Sequence, residues 1–311
     1  MKSKKESQES LTEVHNRLSK VSLLRDLSDN EMSLSQEDVN TEITGLITDS
    51  RRVTPGSAFF AIPGKRTNGN NYVEEAISRG AKTIISNKEK INLPSGIAAV
   101  HSDDPRLALA KFAKKYHGSP DKSLNIIGVT GTNGKTTVTA LTRHLLERPG
   151  RPVGLIGTVK YHLGDRDLPS FKTTPEASDI YPLLKSMLVA GCSEAVMEVS
   201  SHGIHQKRVA GLDIEVAAFL NLTRDHLDYH GNMESYFCEK RKIFNGENGS
   251  LPKVAVINAD CPFGARLMDE LPPQVHILSF GESVSSTFRA RNISLSSVGS
   301  EFILDGPFGS T

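Results

Sequence analysis

The sequence predicts an α/β protein: a smaller N-terminal α/β region, then a doubly wound, largely parallel sheet built around a phosphate loop. Three observations carry this. Short apolar runs alternate with amphipathic segments along most of the chain, as strands joined by helical crossovers do. The glycine-rich stretch Gly131-Thr132-Asn133-Gly134-Lys135-Thr136-Thr137 stands between an apolar run at 125–129 and a segment of helical spacing at 138–146. Two further polar motifs, at 197–203 and 221–231, each follow an apolar run, as loops at the carboxyl ends of parallel strands do.

The chain of 311 residues suggests two domains, at roughly 150 residues each, and each is long enough to bury a core. Its 37 basic and 36 acidic residues nearly cancel, which excludes a global pull toward nucleic acid or anionic membrane. Cys192, Cys238 and Cys261 include no Cys-x-x-Cys pair, so they fit a reducing cytoplasm and offer no zinc site. The longest apolar runs, such as 216–220, are too short to cross a bilayer. The first residues lack an apolar signal core. A cytoplasmic enzyme is the expectation.

Residues 1–20 read as a polar extension with a weak amphipathic stretch near Val14 and Leu18. The region 21–120 reads as strands at 43–47, 58–62, 83–86 and 97–100, the second ended by Pro63-Gly64. A helix at 72–77 ends near Gly80, and Asp103-Asp104-Pro105 caps another that runs to about Tyr116. Gly118-Ser119-Pro120-Asp121 is the linker candidate. The region 121–311 carries strands at 126–130, 152–156, 194–199, 217–222, 254–258 and 276–279, with helical segments between most of them. Beyond Thr287 the pattern turns to short Ser-rich strands, and no repeat or low-complexity tract is present.

The chemistry starts at the phosphate loop. Gly131 and Gly134 let the backbone curl so that several N–H groups and the positive end of the helix dipole face one anion. Lys135 can reach the β- and γ-phosphates, and the Thr136 hydroxyl can ligate Mg²⁺. The strict pattern would put its first glycine at Val129; here Gly128 lies one residue earlier. The loop predicts a protein that binds ATP or GTP, and the absence of an Asn-Lys-x-Asp motif disfavours GTP. Glu198 ends an apolar strand, where an unpaired carboxylate is costly; Mg²⁺ beside the loop or a nearby Arg would supply the partner. Ser200, Ser201, Gln206 and Arg208 could grip a polar anionic substrate. The segment 221–231 packs Asp225, His226, Asp228 and His230 into one loop, with His226 a further Mg²⁺ candidate or a structural histidine. Read bare, 236–244 is an amphipathic helix with a basic face, and Lys240 has no special claim.

Together these motifs resemble the Mur ligase superfamily, and within it the MurE-type branch that extends UDP-MurNAc-L-Ala-D-Glu by a third residue. Gly131 to Thr137 is similar to the superfamily's loop. Thr173-Thr174-Pro175-Glu176, Glu198-Val199-Ser200-Ser201-His202-Gly203 and the 223–231 segment resemble that branch. Asp49-Ser50-Arg51 matches a region that binds the uridine nucleotide in the family. The resemblance implies a UDP-MurNAc-binding domain at 21–120 and the central ATP-binding domain at 121–311. It implies ATP phosphates on Gly131, Thr132, Asn133, Gly134, Lys135, Thr136 and Thr137, and Mg²⁺ on Thr136, Glu198 and His226. Ser50, Thr173, Thr174, Ser200, Gln206 and Arg208 would contact UDP-MurNAc-L-Ala-D-Glu. Lys240 would carry a CO₂-derived carbamate, turning a cation into an anion that helps hold Mg²⁺, which requires a lysine of lowered pKa. Lys135, Lys240 and His226 are the implied catalytic residues.

The implied reaction is ATP-dependent amide formation through an acyl phosphate, adding a diamino acid, meso-diaminopimelate ahead of L-lysine, in a cytoplasmic monomer with no nucleic-acid or membrane partner. The family's C-terminal amino-acid-binding domain has no counterpart here, so the resemblance implies a truncated or fragmentary ligase whose sheet ends in an exposed edge. The alternatives are a noncatalytic ATP- or UDP-sugar-binding fragment and another Mur-type ligase such as a folylpolyglutamate synthase. The folate enzyme lacks a nucleotide-sugar domain ahead of its phosphate loop.

Overall fold

The computed structural model describes residues 43–64, 67–89 and 91–311. The expected extension at 1–20 lies outside the described residues. The chain divides between Ser119 and Pro120 into two units, each with its own sheet.

In the first unit, β1 (Leu46–Ile47), β2 (Ala58–Phe60), β3 (Thr83–Ser86) and β4 (Ala98–His101) form a parallel sheet in sequence order. Helix α1 (Val73–Ser78) joins β2 to β3, and α2 (Pro105–Tyr116) follows β4. β2 and β3 are buried along their whole length, as strands covered on both faces must be. Successive side chains point to opposite faces. Phe59 and Ile84 meet Val73 and Ala76 of α1 in one cluster, while Phe60 meets Phe112 of α2 edge to face at 5.5 Å. Asp104 caps α2, its side chain accepting from the amides of Arg106 and Leu107. The first strand is shorter than the apolar run 43–47 suggested, because the sheet partner β2 pairs only from Ala58 onward.

The second unit begins with β5 (Asn125–Thr130), α3 (Lys135–Leu146) and β6 (Val153–Ile156). A hairpin of β7 (Lys160–His162) and β8 (Asp167–Pro169) precedes α4 (Ala177–Val189), β9 (Glu194–Glu198) and the short α5 (Ser201–His205). Then come β10 (Val216–Phe219), α6 (Leu227–His230), α7 (Met233–Arg241), β11 (Val254–Asn258), α8 (Pro262–Glu270) and β12 (His276–Gly281). The chain closes with β13 (Phe288–Leu295), β14 (Ser300–Gly306) and β15 (Gly309–Ser310).

These strands make one sheet in the order β15-β14-β13-β12-β11-β10-β5-β9-β6-β7-β8. The block from β13 to β6 is parallel, and antiparallel pairings from β13 through β14 to β15 and from β6 through β7 to β8 extend the two ends. Val129, Val153, Leu155, Val196, Ala218 and Leu220 form its shared core. The chain leaves β5 for β6, returns to insert β9 between them, then crosses to β10 on the other side of β5. That reversal is a topological switch point, where open α/β sheets place ligands outside the strands' carboxyl ends. The hairpin at 160–169 escaped the sequence reading because its outer strand is exposed throughout and shows no apolar pattern.

Candidate active site

Gly134 has φ 86° and turns the chain into α3, a conformation that costs glycine little. The first helical hydrogen bond runs from Val138 N to Gly134 O. The amides ahead of it have no intrahelical acceptor and sit at the positive end of the dipole. Lys135 Nζ donates to the carbonyls of Gly131 and Thr132, both at 2.9 Å. Burial lowers its pKa, while the charges of Glu198 and Asp225 pull it back up.

On the neighbouring strand, Glu198 is 1 % exposed at the end of β9. Its carboxylate accepts from Thr136 Oγ1 at 3.0 Å, Thr158 N at 2.8 Å and Thr158 Oγ1 at 3.1 Å. Gly157 has to be a glycine for this, since a Cβ there would lie 2.6 Å from Glu198 Oε1. Donors thus hold the buried charge in place, directly beside the Thr136 hydroxyl.

The opposite wall is built by the segment after β8. Thr173 Oγ1 lies 2.9 Å from Thr158 Oγ1. Thr174 Oγ1 donates to Glu198 O at 2.9 Å and accepts from Ser200 N at 3.0 Å, stitching this segment to the end of β9. Glu176 pairs with both Lys172 Nζ at 2.8 Å and Arg208 Nε at 3.0 Å. Arg208 also donates to Thr174 O and to Gln206 Oε1. Ser200 Oγ accepts from Gly203 N and caps α5, so the hydroxyl expected to grip a substrate already has a structural bond.

His226 sits past β10 with φ 52° and ψ 27°, a strained left-handed conformation for a residue with a Cβ. Its ring lies 4.8 Å from that of His202, and its Nε2 is 3.4 Å from Asp225 Oδ2. Behind it, His230 stacks on Tyr236 at 4.9 Å and 19°. Burial and His202 push the His230 pKa down to about 4, so its ring is neutral at physiological pH.

Lys240 differs most from its bare sequence reading. It is 1 % exposed, and its Nζ donates to Gly131 O at 2.9 Å and Thr130 Oγ1 at 3.3 Å from beneath the phosphate loop. The amine lies 4.7 Å from the Tyr236 ring centroid. Burial, with Lys135 nearby, holds its pKa well below the ordinary 10.5, against a smaller opposite pull from Asp225. The basic face of α7 turns inward at this residue.

One cleft of about 680 Å³ collects most of the expected residues. Residues 132–137, Thr173, Thr174, Glu198, Ser200, Arg208 and His226 line it. Gly131 and Lys240 lie behind its loop, and Gln206 turns to Tyr229 and Arg208. Thr158, Lys172 and His202 also line it and had been given no role; His202 lies within a motif the sequence offered and Lys172 adjoins one, while Thr158 follows a strand with no polar signature. Among the described residues no cluster of three or more His, Cys, Asp or Glu side chains could hold a metal by itself. The donors available to Mg²⁺ are therefore mixed: one carboxylate, one hydroxyl and one imidazole on a shared cleft. A hard cation completed by phosphate oxygens and water suits that set. In the first unit, Ser50 is buried with its Oγ 2.6 Å from Glu75 Oε2, on a cavity of about 520 Å³ that Asp49, Arg51 and Tyr72 also line.

A family model described as Mur ligase family, catalytic domain matches residues 42–118, and one described as Mur ligase middle domain matches 129–310. The UDP-N-acetylmuramoyl-L-alanyl-D-glutamate–2,6-diaminopimelate ligase of Solibacter usitatus is 42 % identical over 273 residues, 87 % of this chain and 54 % of its own. The enzyme of the same name from Listeria monocytogenes is 40 % identical, over 86 % of this chain and 54 % of its own. A solved structure of a ligase of that name superposes with a TM-score of 0.72 at 29 % identity, covering 87 % of this chain and 55 % of its own. The chain spans about half the length of the curated relatives it matches.

Proposed function

This chain belongs to the Mur ligase family, and on that premise we propose that it acts in the ATP-dependent joining of 2,6-diaminopimelate to UDP-N-acetylmuramoyl-L-alanyl-D-glutamate, a step of peptidoglycan precursor synthesis. The observation that carries this reading is the convergence of three adjacent strand ends. β9 brings Glu198, β5 brings the phosphate loop and β10 brings His226 to one cleft, with Thr173 and Arg208 on its far wall. The names of the relatives supply the substrates.

In this mechanism the γ-carboxylate of the D-glutamate residue attacks the γ-phosphate of ATP, and ADP leaves. The amine of the diamino acid then attacks the acyl phosphate, a proton is lost and inorganic phosphate departs. Such phosphoryl transfer depends on positioning and charge neutralisation. The amides at the start of α3 and the Lys135 ammonium face the phosphates, with Lys135 exchanging its loop carbonyls for phosphate oxygens. Thr136, Glu198 and His226 would hold Mg²⁺, which supplies charge neutralisation at the phosphates when bound. Thr173, Thr174, Ser200, Gln206 and Arg208 orient the acidic peptide, and Ser50 with Asp49 and Arg51 takes the uridine nucleotide. Lys240 is proposed to be carbamylated: its neutral amine bonds the carbon of CO₂ and loses a proton, leaving an anion behind the phosphate loop. Burial and the neighbouring Lys135 support this by disfavouring the ammonium form.

Among the described residues no helix is long and apolar enough to cross a membrane. As a separate proposal, the protein acts as a cytoplasmic monomer. The test is ADP release by the chain supplied with Mg²⁺, ATP, UDP-MurNAc-L-Ala-D-Glu and diaminopimelate or lysine. Release that needs both acceptor substrates supports the reading, and the better diamino acid settles the third residue. Failure to bind either ATP or the UDP-sugar peptide overturns it. Binding of both with no ADP release favours a noncatalytic binding role. Isotopically labelled bicarbonate tests the carbamate by a carbonyl resonance that Lys240→Ala removes.

A further inference from the structure

The phosphate loop is latched from the adjacent strand by a residue that no motif reading assigned a role. Asn221 lies two residues past the end of β10. Its Oδ1 accepts from Thr132 N at 3.1 Å and Asn133 N at 2.9 Å, and its Nδ2 donates to Asn133 O at 3.1 Å. Its own backbone carbonyl accepts a further bond from Thr132 N at 3.0 Å. Thr132 Oγ1 continues the seam, accepting from Thr223 N at 3.0 Å and donating to Thr223 O at 3.3 Å. The contact needs close backbone approach: a Cβ on Gly131 would lie 2.9 Å from Leu220 Cβ and 3.3 Å from Asn221 N.

This pattern asks for one acceptor able to serve two N–H groups and one donor for a carbonyl, on a short stem. Asparagine offers both, aspartate has no donor, and serine has a single oxygen. The latch also sorts the loop amides. Those of Thr132 and Asn133 are turned away from the phosphate site onto Asn221, while the amides ahead of Val138 N are left at the helix start. Because the same strand end runs on to His226, one element fixes the height of the loop and the placement of that histidine.

We propose that Asn221 is a positioning residue for the triphosphate, setting the phosphate loop in its anion-binding shape and tying it to the segment that carries His226. This rests on the ATP reading above. The test compares wild type, Asn221→Ala and Asn221→Asp by calorimetric titration with Mg·ATP, inorganic tripolyphosphate and UDP-MurNAc-L-Ala-D-Glu, alongside thermal melts. Asn221→Ala removes all three side-chain bonds. Asn221→Asp keeps the acceptor and the shape but sets an anionic oxygen against Asn133 O and beside the polyphosphate. Both variants are expected to weaken Mg·ATP and tripolyphosphate about tenfold or more, through the three lost bonds in Asn221→Ala and through one lost bond with a repulsive contact in Asn221→Asp, with the UDP-sugar peptide's affinity retained. If Asn221→Ala does not fold, the isosteric Asn221→Asp carries the comparison. Triphosphate affinities within about twofold of wild type in the folded variants overturn the proposal. So does a parallel loss of triphosphate and UDP-sugar peptide affinity, which marks a merely structural role. A wild-type chain that binds no triphosphate overturns the ATP reading itself, which separates the two failures.

Discussion

Replacing Gly157 by Ala should displace the buried carboxylate of the cleft without replacing any ionisable group. The added Cβ would stand 2.6 Å from Glu198 Oε1 and 3.4 Å from its Cδ, against an ordinary contact of 3.4 Å or more. The carboxylate oxygen must therefore retreat by about 0.8 Å to restore van der Waals distance. It cannot do so and keep its 2.8 Å bond from Thr158 N, nor hold its 3.0 Å approach to Thr136 Oγ1. Losing one hydrogen bond to a charged group costs about 1.5–3 kcal/mol. In a unit of this size that corresponds to a drop in Tm of about 3–12 °C. If Glu198 holds Mg²⁺, the displacement also raises the Mg²⁺ concentration needed for ATP binding, about tenfold. Differential scanning fluorimetry and a Mg²⁺ titration of nucleotide binding measure the two effects. Gly299→Ala is the control, because its Cβ meets nothing within 4 Å; its stability should stay within about 0.5 kcal/mol of wild type. A Gly157→Ala protein with the wild-type Tm and Mg²⁺ dependence would refute the reasoning.

Lys240→Met should be at least as stable as wild type at neutral pH in CO₂-free buffer, since it removes a buried amine. The sign follows from linkage: the folded-state pKa lies well below the ordinary 10.5, so between the two values the unfolded chain binds the extra proton and wild-type stability rises with pH. Urea midpoints at neutral and alkaline pH should show that rise in wild type and a flatter profile in the variant. Phe219→Ala empties a site that is 0 % exposed between Phe237 and Phe244 and should cost about 3–5 kcal/mol in urea unfolding. Asp104→Ala unties the amides of Arg106 and Leu107 and should destabilise the first unit by about 1 kcal/mol, read from its thermal melt.

The elements legible in the sequence are those whose cause is local. The central strands at 125–130, 194–198 and 254–258 are runs of apolar residues long enough to be buried on both faces. The phosphate loop is legible because its glycine turn, lysine and helix start all lie within seven consecutive residues. Glu198 could be singled out because a carboxylate ending an apolar strand is costly wherever that strand is buried. The hairpin of β7 and β8 was not legible, since β7 is only three residues long and the edge strand β8 is exposed throughout.

Other features depend on neighbours far along the chain. Lys240 reads as one basic residue among Lys240, Arg241 and Lys242; only the packing of α7 under the loop makes it a buried amine, through bonds to Thr130 and Gly131 more than a hundred positions earlier. Asn221 reads as a polar residue after a strand until β10 is placed beside β5. Ser200 reads as a substrate contact, and only the turn into α5 shows that its hydroxyl oxygen also caps a helix from the wall of the cleft. By itself, then, the sequence determined the central strands, the turn of the phosphate loop and the chemical types available, because backbone geometry and burial period are written in adjacent residues. Which of those groups face the cleft, which are locked in support and which amine has its ammonium form disfavoured were decided by tertiary structure alone. Desolvation and hydrogen-bond geometry arise only when distant strands and helices close over the same few atoms.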